Sequence, residues 1–152
     1  MNKPVVVCLA AVACLGVSLR LVAAEGAGAN KPAVVWPAAD IKWSDSPAIK
    51  GAKIAVLWGD PAKGAYGAFK TIPSGGTIAL HTHSHDQRVI TTGGTIILTM
   101  DGAAPKDLPV GSYSFIPAGA KHTAECKGST DCTYFEEQPG ASDIKFVDAA
   151  KK

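Results

Sequence analysis

Beyond its first 24 residues the sequence has no long apolar run, no block of like charge and no stretch of sustained helical periodicity. Each absence excludes something. A helical membrane span wants about 20 apolar residues in a row, so the later chain contains none. Nucleic-acid binding leaves a basic patch or stripe, and there is none. Without a 3.6-residue apolar period, the regular elements are expected to be strands. No Ser-His-Asp constellation is legible, so hydrolysis by a nucleophilic triad has no support. No internal repeat is visible. Histidine is scarce too: of four, three crowd into His81–His85 and the fourth is His122.

What is present begins with Met1 to Ala24. Lys3 precedes the apolar run VVVCLAAVACLGVSL, and Val22-Ala23-Ala24 ends it with small residues. The pattern is that of a cleaved secretory signal peptide, which predicts a periplasmic or secreted protein. Arg20 interrupts the run and argues against a permanent span. Cys14 offers a lipoprotein reading, which the absence of a Leu in Ala11-Val12-Ala13 disfavours. Cleavage after Ala24 would leave 128 of the 152 residues, enough for one domain with a single core. It would also remove Lys3 and Arg20, taking the basic count from 15 to 13 and the net charge from +2 to zero.

The mature chain would keep two cysteines, Cys126 and Cys132. In an oxidising compartment an even pair is a disulfide candidate. The two flank the turn-like KGSTD, so a bridge would clamp a hairpin; the alternative is two free thiols, one facing a pocket.

Residues 25–50 read as a flexible Ala-, Gly- and Pro-rich lead-in with a candidate edge strand, and residues 51–150 as the folded domain. There, short segments rich in Ile, Val, Thr and aromatics alternate with turn signals such as Gly59-Asp60-Pro61, Pro73-Ser74-Gly75-Gly76 and Asp101-Gly102. That spacing predicts an all-β sandwich or barrel of about eight to ten strands. Trp58, Tyr66, Phe69, Tyr113, Phe115, Tyr134 and Phe135 lie on these segments and are read mainly as core, with one or two lining a ligand cavity. Arg88 reads as an exposed arginine, or as a contact for an anion.

Residues two apart on a strand share a face, so His81 and His83 in TIALHTH project side by side and can share one cation. His85 keeps that parity only if the strand continues past Ser84 and Asp86, which suggest a bend. Imidazole suits several transition metals.

The spacing goes further. Gly75 is followed by five residues, then His81-Thr82-His83, three residues, Gln87, six residues and Gly94. Gly111 is followed by five residues, then Pro117-Ala118-Gly119, two residues and His122. The two stretches resemble the paired motifs of the cupin superfamily. The flanking WGDPAKGAYGAF and CKGSTDC are similar to small exported, ChrR-like cupins of unassigned function. The resemblance implies a double-stranded β-helix, or jelly-roll barrel, with one divalent transition metal (iron, manganese, nickel or zinc) in its mouth. His81, His83 and His122 match the family's histidine ligands. Its usual glutamate ligand falls on Gln87, and the Asn that ends the second motif falls on Cys126. Gln87 can bind a metal through its amide oxygen but cannot act as a general base; His85 or water is the alternative fourth ligand.

Three functions follow from this reading. One is a metalloenzyme, of dioxygenase or isomerase/lyase type, acting on a small organic ligand. The second is a non-catalytic metal-dependent binding or sensor module. The third is a metal-free structural cupin. A homodimer formed through an added strand near Ile41 to Trp43 is also expected of such a protein.

Overall fold

The computed structural model describes residues 32–147; the signal peptide expected at residues 1–24 lies outside them. A compact unit begins at Val35. After a single 3-10 turn at Ala38–Asp40 come eleven strands: β1 (Ser44–Asp45), β2 (Lys53–Gly59), β3 (Tyr66–Ile72), β4 (Thr77–Thr82), β5 (Gln87–Gly93), β6 (Thr95–Met100), β7 (Lys106–Pro109), β8 (Tyr113–Ile116), β9 (His122–Lys127), β10 (Cys132–Gln138) and β11 (Lys145–Phe146). They form two antiparallel sheets, ordered β1-β2-β3-β10-β5-β8 and β11-β4-β9-β6-β7. This is an all-β jelly roll. The count exceeds the expected eight to ten because β1 and β11 are two-residue pairings at sheet edges and KDLP forms β7. The short edge strand β1, Ser44–Asp45, lies within the lead-in segment 25–50 and pairs with β2.

Turn chemistry fixes the lengths of the strands. The glycines that punctuate the two motifs, Gly75, Gly94, Gly111 and Gly119, all take positive φ. That region is costly for any residue with a Cβ. At Gly94 a Cβ would also lie 2.9 Å from Cys132 Sγ, so the β5–β6 turn admits glycine alone.

The register stacks the inward side chains of the six-stranded sheet in layers. At one end Tyr66 faces Gln138 across β3 and β10. The next layer is Ala68, Glu136 and Val89, and the next is Lys70, Tyr134 and Thr91. Ile72 and Cys132 close the far end. On the five-stranded sheet, Ile96 pairs with both Cys126 and Leu108. Ile72, Ile78, Ile96, Tyr134 and the two cysteines form the apolar core there.

Cys126 and Cys132 are joined by a disulfide, with Cα atoms 5.5 Å apart. It is not the hairpin clamp expected from KGSTD. β9 and β10 belong to different sheets, so the bridge crosslinks the two layers at the floor of the barrel.

The aromatic residues also depart from expectation. Trp58, Tyr113 and Phe115 are about half exposed, and Phe69 packs between Trp43 and Phe135. Phe69, Phe135, Ile90 and Tyr113 are successive cross-strand partners, so they share the outer face of the six-stranded sheet. Gly67 leaves room for Trp58, whose indole a Cβ there would strike. Only Tyr66 and Tyr134 turn inward among the seven aromatics named from sequence. Strand parity decides this: in YGAFKTI, Tyr66 shares the parity of buried Ala68 and Ile72, whereas Phe69 has the opposite one.

Candidate metal centre

β4 should present alternate residues to the core, yet Ile78 and His81, three apart, are both buried. An irregularity in the β4–β9 pairing between these residues shifts the phase by one and turns His81 inward. His81 then stands directly opposite His122, the first residue of β9. His83 lies just beyond the end of β4 and is partly buried. Ring centroids are 4.1 Å apart for His81–His122, 4.9 Å for His81–His83 and 5.4 Å for His83–His122. One ring nitrogen from each lies within 4.8 Å of the others.

Each ring is oriented by a backbone carbonyl. His81 Nδ1 donates to Ala79 O at 2.7 Å, and His122 Nδ1 to Ala120 O at 3.1 Å. His83 Nδ1 donates to Asp143 O. A carbonyl only accepts, so each Nδ1 carries the proton and each Nε2 keeps a lone pair. Burial holds all three imidazoles below their ordinary pKa, His81 down to about 4, against the pull of those carbonyls. Three neutral imidazoles with free Nε2 atoms fit a divalent transition metal.

The acceptor for His83 comes from the segment before β11. The Asp143 carboxylate receives the Ser84 amide and hydroxyl, and Lys145 lies 3.3 Å from it. Burial is the largest single influence and opposes the charge, but the Ser84 hydroxyl and amide together with Lys145 outweigh it and lower the pKa to about 2. β11 pairs with β4 at His81 and Thr82, so the C-terminal segment braces the strand that carries the histidines.

His85 stands apart from the three-histidine group. It lies in the bend at Ser84–His85, its ring against Gly140, where a Cβ would collide with it. Arg88 is exposed, its guanidinium 5.7 Å from the Phe115 ring centre on the outer face, away from the site.

Gln87 is buried and lines the same cavity as the three histidines. Its Nε2 donates to Glu136 Oε2 at 3.0 Å. An ionised carboxylate accepts only, so this bond fixes the amide: nitrogen toward Glu136, carbonyl oxygen available elsewhere.

Sequence reasoning missed Glu136. Its other oxygen accepts from Tyr66 Oη at 2.5 Å, Lys70 Nζ at 2.5 Å and Gln138 Nε2 at 3.0 Å. Burial opposes its charge, but Lys70, through charge and hydrogen bond, and the Tyr66 hydroxyl outweigh it and lower its pKa. Burial likewise opposes the charge on Lys70, and Glu136 raises its pKa regardless. The site therefore holds a carboxylate that is neutralised and committed to four donors. The signal that could have found it is parity. Once Cys132 is placed inward, Tyr134, Glu136 and Gln138 follow at steps of two.

The sequence profile of the domain of unknown function DUF4437 matches residues 24–135. The chain belongs to the DUF4437 family. This is a cupin-like family, and solved cupins share the chain's fold. The polyketide cyclase RemF from Streptomyces resistomycificus superposes with a TM-score of 0.65 at 17% identity, over 79% of this chain and 89% of that one. An RmlC-like cupin from Shewanella frigidimarina gives 0.58 at 20%, over 71% and 91%. The DMSP lyase DddQ from Ruegeria pomeroyi gives 0.60 at 15%, over 75% and 64%. These likenesses establish the fold of this DUF4437 protein and no more. A search of curated protein sequences returned no match.

Proposed function

We propose that this DUF4437 protein is an exported cupin that holds one divalent transition metal on His81, His83, His122 and the amide oxygen of Gln87, and binds a small organic ligand there. The observation that carries this reading is the shared state of the three imidazoles: each Nδ1 is held by a carbonyl and each Nε2 is free among its neighbours. Gln87 supports it, since Glu136 engages its nitrogen and leaves its oxygen as the donor atom. Export is supported by the leader pattern and by the disulfide, a bond of oxidising compartments. No helix among the described residues is long and apolar enough to cross a membrane.

A bound divalent ion would supply Lewis acidity, and a ligand set with no carboxylate would leave its charge unreduced, favouring an anionic ligand. The chain's own residues would orient and enclose that ligand. Cupin-fold neighbours include a polyketide cyclase and DMSP lyases, so an isomerase or lyase type of reaction, or a dioxygenase, suits the fold. A specific observation favours a second reading, a non-catalytic binding or sensor module. Glu136, the buried carboxylate nearest the site's polar cluster, is tied to four donors and so is poorly placed to take a proton from a ligand.

Metal content of untagged protein, supplemented in turn with iron, manganese, nickel and zinc, tests the proposal. One ion per chain is expected, with at least a tenfold weaker affinity in His83→Ala. Equal and negligible metal in both proteins would sink it. Turnover or oxygen uptake with phenolic and sugar-acid ligands then separates enzyme from module.

A further inference from the structure

The three histidines line a partly open cavity of about 480 Å³ in the barrel. That is room for an organic molecule of some size, well beyond an ion and its waters. Its walls are apolar toward the floor, where Ile72, Ile78 and Ile96 are buried. Among the hydroxyls on its wall are those of Tyr134 and Thr91. Tyr134 and Thr91 are direct cross-strand partners on β10 and β5, both facing inward, 8% and 2% exposed.

Neither hydroxyl forms a hydrogen bond with the described residues. Burial, opposed by nearby Lys70, pushes the Tyr134 phenol up, with no hydrogen bond contributing. The two differ from the Tyr66 hydroxyl, which is spent on Glu136. They differ also from Gln138 Oε1, the enclosed side-chain atom without a partner among the described residues, which is not part of the cavity wall. The two hydroxyls therefore keep accessible surface on the cavity side, where a ligand's polar group can satisfy them. A pair of unpaired hydroxyls, side by side on a cavity wall, is therefore a recognition point. An apolar wall would have been the cheaper choice for packing alone.

The pair lies four residues from Gln87 along β5, roughly 13 Å of strand, and two residues from Glu136 along β10, roughly 7 Å, at about 3.3 Å per residue.

We propose that the Tyr134 and Thr91 hydroxyls form a second recognition point, selecting an organic anion whose head sits at the histidines and whose far end carries an oxygen function. The middle of such a ligand is apolar, matching the isoleucine-lined wall. The claim rests on the metal reading for the head of the ligand; the hydroxyl pair itself stands on its own geometry.

The test uses the metal-supplemented mature chain and two probes, 3-phenylpropanoate and 3-(4-hydroxyphenyl)propanoate, with calorimetric titration as readout. The intact protein should bind the hydroxylated probe about tenfold more tightly, the effect of one net hydrogen bond. Tyr134→Phe and Thr91→Val are near-isosteric and should each shrink the preference, and the double variant should abolish it without weakening 3-phenylpropanoate. Thermal melts confirm that the variants fold. Equal affinities in the intact protein, a preference surviving in the double variant, or no binding of either probe would overturn the proposal. Metal content is measured on the same samples. Protein that takes up no metal yet ranks the probes as expected refutes the metal reading and upholds the hydroxyl pair. Protein that takes up metal and treats the probes alike does the reverse.

Discussion

Glu136 is the residue on which the polar side of the site depends. It accepts from Tyr66, Lys70, Gln87 and Gln138, four side chains from three strands, and Lys70 would otherwise be a nearly buried, unpaired cation. Removing one partner of a buried pair is worse than removing both, because the survivor keeps its desolvation penalty. Glu136→Leu should therefore destabilise the protein by about 3–5 kcal/mol, and the double change Glu136→Leu with Lys70→Met should recover most of that. Urea unfolding measures both; a double variant no more stable than the single would refute the pairing argument. Glu136→Gln keeps the shape but frees the Gln87 amide to flip. Metal affinity should then drop about 10- to 100-fold, as when the outer partner of a metal ligand is lost. An unchanged affinity would mean that Gln87 is not held for this purpose.

The strands β9 and β10 carry the next argument. His122 lies four residues from Cys126 on β9, and Glu136 four residues from Cys132 on β10. The disulfide thus fixes the level of one sheet against the other at the floor, while His122 and Glu136 occupy matching positions toward the mouth. Its closed loop is short, so the chain-entropy effect is only about 2 kcal/mol. Cys126→Ala with Cys132→Ala should lower the melting temperature, and it should weaken metal binding as well, because the two sheets are free to shift. A variant of lower stability with undiminished metal affinity would show that the bridge serves stability alone. The irregularity in β4 acts on the same scale: it re-phases the strand so that an apolar Ile78 and a polar His81 share the interior.

For the whole molecule, the buried imidazoles dictate how stability follows pH. In the folded chain all three lie below the ordinary value of 6.5, His81 at about 4. Between those limits the unfolded chain binds more protons, so stability falls as pH falls from 6.5 to about 4. Glu136, also lowered from its ordinary 4.5, extends the loss below that pH. Lys70 is raised and contributes nothing in this window, being protonated in both states. Melting temperatures of metal-free protein should be level above pH 7 and decline through this range; a flat profile down to pH 4 would contradict burial of neutral histidines. Bound metal should steepen the decline, because protons compete for the same nitrogens.

The sequence by itself determined the strand-and-turn grammar, the glycines at positive φ, the all-β class and the spacing that groups His81 and His83 with distant His122. Those features are local, or depend on fixed periods of two residues and on turns that admit few side chains. Tertiary structure alone decided the rest. Which face of each strand is inside is a collective property of two sheets, and it moved Phe69, Tyr113 and Phe115 outside and Glu136 and Lys70 inside. The β4 irregularity, the disulfide that joins sheets in place of a hairpin, and the carbonyl of Asp143 on His83 all depend on strands meeting from far apart in the chain. A charge inside a barrel is intelligible only with its partners. Glu136 reads as one acid of a Glu-Glu pair until β3 and β5 bring Lys70 and Gln87 against it.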